Sequence, residues 1–253
     1  MKQTKDFKVF EKKDFGNSVL LRLRSKEPLL TILPGQFANV QVEGSSKTYL
    51  RRPISIHDVD YANNELSLLI QKVGEGTKRL AELKYADKVN LVYPLGKGFT
   101  LPSQGEKVLL VGGGIGIAPL FYLASHCLKA GATPVMLLGA KTAADLIRLK
   151  DFEKHGEVLV TTEDGSLGEK GFVTAHSIWK TCEFSKIYVC GPKPMMMAVA
   201  ALAKEKGIWC EVSLENRMAC GIGACLCCVE DTVDGNVCVC KEGPVFNINQ
   251  LKW

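Results

Sequence analysis

Residues 107–131 read KVLLVGGGIGIAPLFYLASHCLKAG, and the fold of the chain turns on how this stretch is read. The uncharged run Val108–Ser125 reaches the roughly 18 residues of a membrane span. Gly112, Gly113, Gly114, Gly116 and Pro119 lie inside it, however, so it reads as strand, turn and helix. No membrane anchor is expected.

The same alternation continues downstream. Strand-like KVLLVG, VMLLG, VLVTT and KIYVCG begin at Lys107, Val135, Val158 and Lys186. Helix-like APLFYLASHCLKAG, DLIRLKDFEKHG, TAHSIWKTCE and KPMMMAVAALAKEKG follow them in turn. Strands and helices in this order build a parallel sheet covered by helices on both faces. Upstream, FKVFE (7–11), VLLRL (19–23), FANVQVE (37–43), ISIHD (54–58), ELSLLIQKV (65–73) and KVNLV (88–92) are short β-prone runs. Their Gly, Pro and Asn punctuation predicts an antiparallel barrel or sandwich, interrupted by one helix starting after Gly76-Thr77. The turn-rich segment 94–107 separates the two patterns. From about Ser213 the chain loses periodicity, and so small a segment needs a staple beyond apolar burial. The predicted architecture is multidomain α+β: an antiparallel β-barrel over 1–101, an α/β parallel-sheet domain over 102–212, and a small domain over 213–253.

Composition narrows the function. The chain has 253 residues, 46% of them hydrophobic and 23% charged, as in ordinary globular proteins. Its formal charge of +5 is scattered, without the basic stripe that nucleic-acid binding requires. MKQTKDFKVF has no apolar core of a secretory signal, so a cytoplasmic protein is expected. Such a protein does not use cysteines for structural disulfides, yet six of its ten fall between Cys220 and Cys240.

Cys220, Cys225 and Cys228 stand at C-x4-C-x2-C, and Cys238 and Cys240 follow. This is the plant-type spacing for a 2Fe-2S cluster, whose fourth thiolate lies further along. Gly221 and Gly223 let the backbone turn tightly around such a group. Zinc is the alternative metal, but it more often uses paired C-x2-C motifs. Val237–Cys240 reads as a short β segment that puts Cys238 and Cys240 on one face, about 6–7 Å apart. Spacing therefore leaves the fourth ligand open between them. On a count of four ligands Cys227 and Cys238 can be surplus, simply small apolar side chains. Cys127, Cys182 and Cys210 sit in apolar contexts and read as core.

Two features of the β region suggest an anion site. They are Arg52-Pro53-Ile54-Ser55 and Gly74-Glu75-Gly76-Thr77, which opens the lone helix. Free N–H groups at a helix N-terminus favour phosphate, and Arg52 could add a forked contact. Taken singly, each is better explained by a turn followed by a helix cap; together the two features gain weight. In the α/β region, the loop Gly113, Gly114, Gly116 fails the G-x-G-x-x-G fingerprint, because position 117 is Ile. No acidic residue near Lys141 stands ready to hold a ribose. Cys190-Gly191-Pro192 closes a strand at the sheet edge where ligands of open α/β folds bind, unless Cys190 is simply a buried strand end.

Together RPIS, GEGT, GGGIGIAP, CGPKPM and the cysteine tail resemble the ferredoxin–NAD(P) reductase superfamily. Within it, MACGIGAC-x2-C followed by C-x-EGPVF is similar to the electron-transfer subunit of class 1B dihydroorotate dehydrogenase, over essentially the whole chain. The resemblance implies that FAD contacts Arg52, Pro53, Ile54 and Ser55, the strand residues Leu69, Ile70 and Gln71, and the diphosphate turn Gly76 and Thr77. It implies cluster ligands at Cys220, Cys225, Cys228 and Cys240, the last because the family's ligand precedes x-x-G-P-V-F, which leaves Cys238 and Cys227 as bystanders packed beneath the loop. It also implies a nicotinamide nucleotide, NAD as substrate, at Gly113, Gly114, Gly116, Cys190 and Gly191. The implied role is passage of electrons from dihydroorotate, oxidised at the FMN of a catalytic partner subunit, through the 2Fe-2S cluster and FAD to NAD+. That reaction belongs to pyrimidine (UMP) biosynthesis, and the implied assembly is a heterotetramer. No residue set for the dihydroorotate chemistry itself is present. The competing reading is a diaphorase-like subunit of a hydrogenase or of an NADH-ferredoxin transhydrogenase.

Overall fold

A computed structural model describes residues 2–181 and 183–253, so Cys182 lies outside the described residues. Six antiparallel strands form the N-terminal barrel: β1 (Gln3–Asp14), β2 (Ser18–Arg24), β3 (Phe37–Val40), β4 (Arg52–Asp60), β5 (Glu65–Gln71) and β6 (Lys88–Leu95). They close in the order β1-β2-β5-β4-β3-β6. Phe7, Val19, Leu21, Leu23, Ile56, Leu68 and Leu91 are buried among them, each contributing about 1.5–3 kcal/mol. β3 ends at Val40, three residues short of the expected FANVQVE. The lone helix α1 (Glu75–Ala81) starts three residues earlier than expected, placing Gly76 and Thr77 inside its first turn.

The α/β region is a seven-stranded sheet. In chain order it contains β7 (Lys107–Gly113), α2 (Ile117–Lys129), β8 (Thr133–Ala140), α3 (Leu149–Phe152), β9 (Glu157–Thr162), β10 (Glu169–Lys170), α4 (Ile178–Thr181), β11 (Lys186–Cys190), α5 (Lys193–Glu205) and β12 (Trp209–Ser213). The strand order is β10-β9-β8-β7-β11-β12-β15, parallel except for the antiparallel edge strand β15 (Val245–Asn247) on β12. Helices α2 and α5 match expectation. The other two expected helices shrink to single turns, and in the first of them Arg148 takes the left-handed conformation at φ 62°, which breaks the helical run. Cys127 and Cys210 are fully buried, as expected of core residues.

In the tail, β13 (Val229–Thr232) and β14 (Gly235–Cys238) pair, and a helical turn α6 (Val239–Glu242) follows directly. Cys238 and Cys240 therefore do not share one strand face: the strand stops at Cys238, and Cys240 belongs to the helical turn. The chain forms two compact units. One comprises residues 1–98, 216–230 and 236–244, and the other 99–215, 231–235 and 245–253. No helix among the described residues is long and apolar enough to cross a membrane.

Candidate functional site

On the barrel, Arg52, Pro53, Ile54 and Ser55 occupy the start of β4, all half-buried, and pair with Val40, Asn39, Ala38 and Phe37 of β3. The Arg52 guanidinium crosses the first turn of α1: a Cβ on Gly76 would stand 2.8 Å from Arg52 Nε and 3.1 Å from Thr48 Cγ2. Glycine at 76 is what admits the arginine there. The Thr77 hydroxyl accepts the Val73 and Gly74 N–H groups, both at 3.1 Å, and donates to the Gly74 carbonyl, so it serves as the helix cap. Leu69 and Ile70 are buried within the barrel wall, whereas Gln71 is half-exposed.

In the sheet unit, β7 runs out at Gly113 into a single 3-10 turn, Gly114–Gly116, and α2 begins at Ile117. Each glycine has its own reason. Gly114 is exposed with φ +54° and has open space where a Cβ would point. A Cβ on Gly116 would overlap the Cys190 carbonyl and stand 2.6 Å from Gly191 Cα. A Cβ on Gly191 would in turn meet Gly113 N at 3.0 Å. The turns after β7 and β11 thus touch backbone to backbone, bringing Gly113, Gly116, Cys190 and Gly191 together. The Cys190 thiol lies 4.0 Å from a Glu215 carboxylate oxygen. Burial, then that carboxylate, pushes its pKa well up, leaving an uncharged thiol without nucleophilic character. Desolvation also raises the Glu215 carboxyl.

The cysteine loop is held in the same compact unit as the barrel. Asn39 Nδ2 of β3 donates to the Cys220 carbonyl at 3.1 Å. Lys97 adds a clasp, its N–H donating to the Gly243 carbonyl and its ammonium pairing with Glu242 at 2.7 Å. Within the loop, backbone donors point at sulfur. The N–H groups of Ile222 and Ala224 reach Cys220 Sγ at 3.4 and 3.3 Å, that of Gly223 reaches Cys240 Sγ at 3.1 Å, and that of Cys240 reaches Cys228 Sγ at 3.4 Å. The Ile222 N–H leads the effects that lower the Cys220 thiol to about 6, with Cys225 as a hydrogen-bonding neighbour. Burial, and then the adjacent Cys228 thiol, pushes Cys240 up to about 12. Cys228 and Cys240 are buried; Cys225 is exposed.

The thiols therefore stand in two neighbouring pairs, Cys220 with Cys225 and Cys228 with Cys240. A four-cysteine 2Fe-2S centre needs two thiolates at each iron, and N–H groups aimed at sulfur stabilise the thiolate form. Among the described residues no three metal-ligating side chains are gathered as a ready-made metal site; what fits the group is the four-thiol donor set and the N–H groups aimed at its sulfurs. Cys238 also lies beside Cys228, but its thiol faces the Gly223 carbonyl at 4.0 Å, an acceptor that suits S–H and repels a thiolate. Cys227 is exposed rather than packed beneath the loop. The neighbouring Leu226 adopts φ 58°, and the turn it makes leaves residues 225–227 on the outside. Sequence reasoning passed over Asn39 and the Lys97–Glu242 clasp. Asn39 carried a signal, as a polar residue inside the apolar run Phe37–Val40.

Comparison with known proteins adds independent findings. Residues 215–252 match the family described as the iron-sulfur cluster binding domain of dihydroorotate dehydrogenase B, and residues 110–201 match the oxidoreductase NAD-binding domain. The chain is 40% identical over 224 residues to the dihydroorotate dehydrogenase B (NAD(+)) electron transfer subunit of Shouchella clausii, covering 86% of both chains. It is 43% identical over 218 residues to the subunit of that name from Caldanaerobacter subterraneus subsp. tengcongensis, covering 84% of both. Among solved structures, it resembles an NADH-dependent reduced ferredoxin-NADP oxidoreductase studied for flavin-based electron bifurcation. That match has a TM-score of 0.88 and 29% identity, covering 98% of this chain and 90% of the other.

Proposed function

The chain belongs to the family of dihydroorotate dehydrogenase B (NAD(+)) electron transfer subunits, and from that premise we propose how it works. It accepts electrons released when a catalytic partner subunit oxidises dihydroorotate at FMN, and it delivers them to NAD+. We place it in the cytoplasm, in pyrimidine biosynthesis, within a heterotetramer of two copies of each subunit. Bound FAD supplies the exchange between single electrons from an iron–sulfur centre and a hydride pair with nicotinamide. Functionally, residues 1–101 serve FAD, 102–212 the nicotinamide nucleotide, and 213–253 the cluster.

Arg52, with Gly76 opening the space beside it, holds the FAD diphosphate, while Pro53, Ile54 and Ser55 and the strand residues Leu69, Ile70 and Gln71 border the ring system. Thr77 keeps the helix start in shape. The loop Gly113, Gly114 and Gly116 admits the nucleotide close to backbone, with Cys190 and Gly191 flanking the nicotinamide. Cys220, Cys225, Cys228 and Cys240 bind the cluster. Cys225 on the exposed side of the loop leaves an edge open to a docked redox partner.

The observation that carries this reading is the paired thiols in a loop fastened to the same unit as the barrel. The test is to co-purify the chain with its FMN-bearing partner and measure orotate formation against NADH formation. Cys225→Ser should abolish this coupled reaction while leaving dye-linked NADH oxidation by the FAD-loaded chain. Coupled turnover that survives loss of the cluster would refute the proposed route. The ferredoxin-NADP oxidoreductase likeness favours the transhydrogenase alternative, against higher identities of 39–43% to the dihydroorotate dehydrogenase subunits. Ferredoxin-dependent reduction of nucleotide without dihydroorotate activity in the complex would reverse the choice.

A further inference from the structure

We propose that Asn39 is a positioning residue for the iron–sulfur cluster: its side-chain amide fixes the Cys220–Gly221 peptide and thereby sets the cluster's reduction potential. This rests on the cluster reading given above.

Asn39 lies at the centre of β3 among Phe37, Ala38 and Val40, and only 1% of its surface is exposed. Its Nδ2 donates to the Cys220 carbonyl, 181 residues away in sequence, while its Oδ1 is buried without a partner. An unsatisfied buried acceptor costs stability, so an aliphatic side chain would serve the barrel better. The residue is accounted for by what its donor does at Cys220. The alternative amide orientation would turn Oδ1 against the Cys220 carbonyl, acceptor to acceptor, so the contact itself fixes which way the amide points.

The consequences run through one peptide plane. Gly221, immediately after the held carbonyl, has φ +71°, and a Cβ there would stand 2.8 Å from Asn39 Nδ2. Of the three N–H groups that follow, those of Ile222 and Ala224 point at Cys220 Sγ and that of Gly223 points at Cys240 Sγ. Hydrogen bonds to the sulfurs are among the determinants of a cluster's potential. They favour the reduced, more negative form, so holding the Cys220–Gly221 peptide maintains donors that raise the potential. On the other side, Asn39 faces Pro53 of β4 in the barrel ladder, and its carbonyl accepts from Arg51 Nη1 at 3.3 Å. A β-bulge between Phe37 and Asn39 on the β6 side re-aims the strand locally, as bulges beside functional sites do. One side chain thus registers the cysteine loop against the strand that carries Arg52–Ser55.

The experiment compares wild type with Asn39→Leu and Asn39→Ala, each purified as the full chain with flavin and iron–sulfur content measured. The readouts are the cluster midpoint potential by mediated titration, the low-temperature electron paramagnetic resonance spectrum of the reduced cluster, and the rate of iron loss to a chelator. Both variants should retain FAD. Their potentials should move negative by a threefold to tenfold change in the reduction equilibrium, the upper limit being 59 mV for one electron. Their spectra should change, and iron should be lost severalfold faster. If the leucine does not fit the strand, the smaller alanine decides. Loss of the cluster from a flavin-bound alanine variant also supports the positioning role. Wild-type potential, spectrum and iron retention in either folded variant overturns it. Wild-type protein that binds no 2Fe-2S cluster under reconstitution refutes the cluster reading instead.

Discussion

The two glycines at 114 and 116 sit in one loop, yet alanine should affect them in different ways. At Gly116 the backbone is ordinary, φ −60°, so the whole cost is steric. A new Cβ would overlap the Cys190 carbonyl and stand 2.6 Å from Gly191 Cα. These are backbone atoms of a neighbouring turn and cannot swing aside as a side-chain tip can. Overpacking costs about 1–3 kcal/mol, and a backbone-to-backbone clash belongs at the upper end, about 3 kcal/mol. At Gly114 there is no atom to meet, but φ is +54°. An alanine there bears only the left-handed penalty, about 1 kcal/mol. With roughly 2–4 °C of melting temperature per kcal/mol for a chain of this size, Gly116→Ala should lose about 6–12 °C and Gly114→Ala about 2–4 °C. Function should reverse the order of specificity. Gly114→Ala points its methyl into the open side of the loop and should raise the KM for NADH in dye-linked oxidation several-fold with near-normal stability. Thermal unfolding and steady-state kinetics on the FAD-loaded variants test both. A Gly116→Ala protein as stable as wild type would refute the backbone-contact argument, and an unchanged KM in Gly114→Ala would remove the loop from nucleotide binding.

Three further outcomes are expected. Cys240→Ser should lose the cluster or shift its spectrum strongly, while Cys238→Ser and Cys227→Ser keep iron content near wild type; exchanged outcomes at 238 and 240 would reassign the fourth ligand. Gly76→Ala, which drives a methyl within 2.8 Å of Arg52 Nε, should lower FAD retention after gel filtration by about an order of magnitude, the tenfold equivalent of about 1.4 kcal/mol; unchanged retention would separate Arg52 from the flavin. Burial raises the Glu211 carboxyl above its ordinary value of 4.5, partly opposed by hydrogen bonds from Thr100. Its contribution to stability is therefore complete below that ordinary value and is lost as pH rises through the folded value. Glu211→Gln should flatten this part of the profile in urea denaturation at pH 4.5 and 7.5, and a slope as steep as wild type would show that another group controls it.

Much of this protein is determined locally, and that part was legible in the residues. KVLLVGGGIG followed by a helical run specifies strand, turn and helix because glycine and apolar spacing act over a few residues. C-x4-C-x2-C marks a cluster loop for the same reason, since Cys220, Cys225 and Cys228 lie within nine residues of chain. The barrel strands showed themselves through turn punctuation, and helices α2 and α5 through length. Where local signals were weak, tertiary context prevailed. DLIRLKDFEKHG has helical composition, but Arg148 in the left-handed region cuts it to one turn. VCVC looks like a strand, yet chain reversal into α6 buries Cys240 beside Cys228 and leaves Cys238 facing a carbonyl. The three-residue β15 has no signature of its own and becomes a strand only because β12 offers an edge. The contact of Asn39 with Cys220 and that of Gly116 with Cys190 depend on strand register across long sequence separations. Periodicity along a chain specifies which residues form an element and which face they turn inward. Which elements become neighbours, and in what register, is decided by closing the barrel and ordering the sheet, and only then does a lone polar residue in an apolar strand acquire its partner.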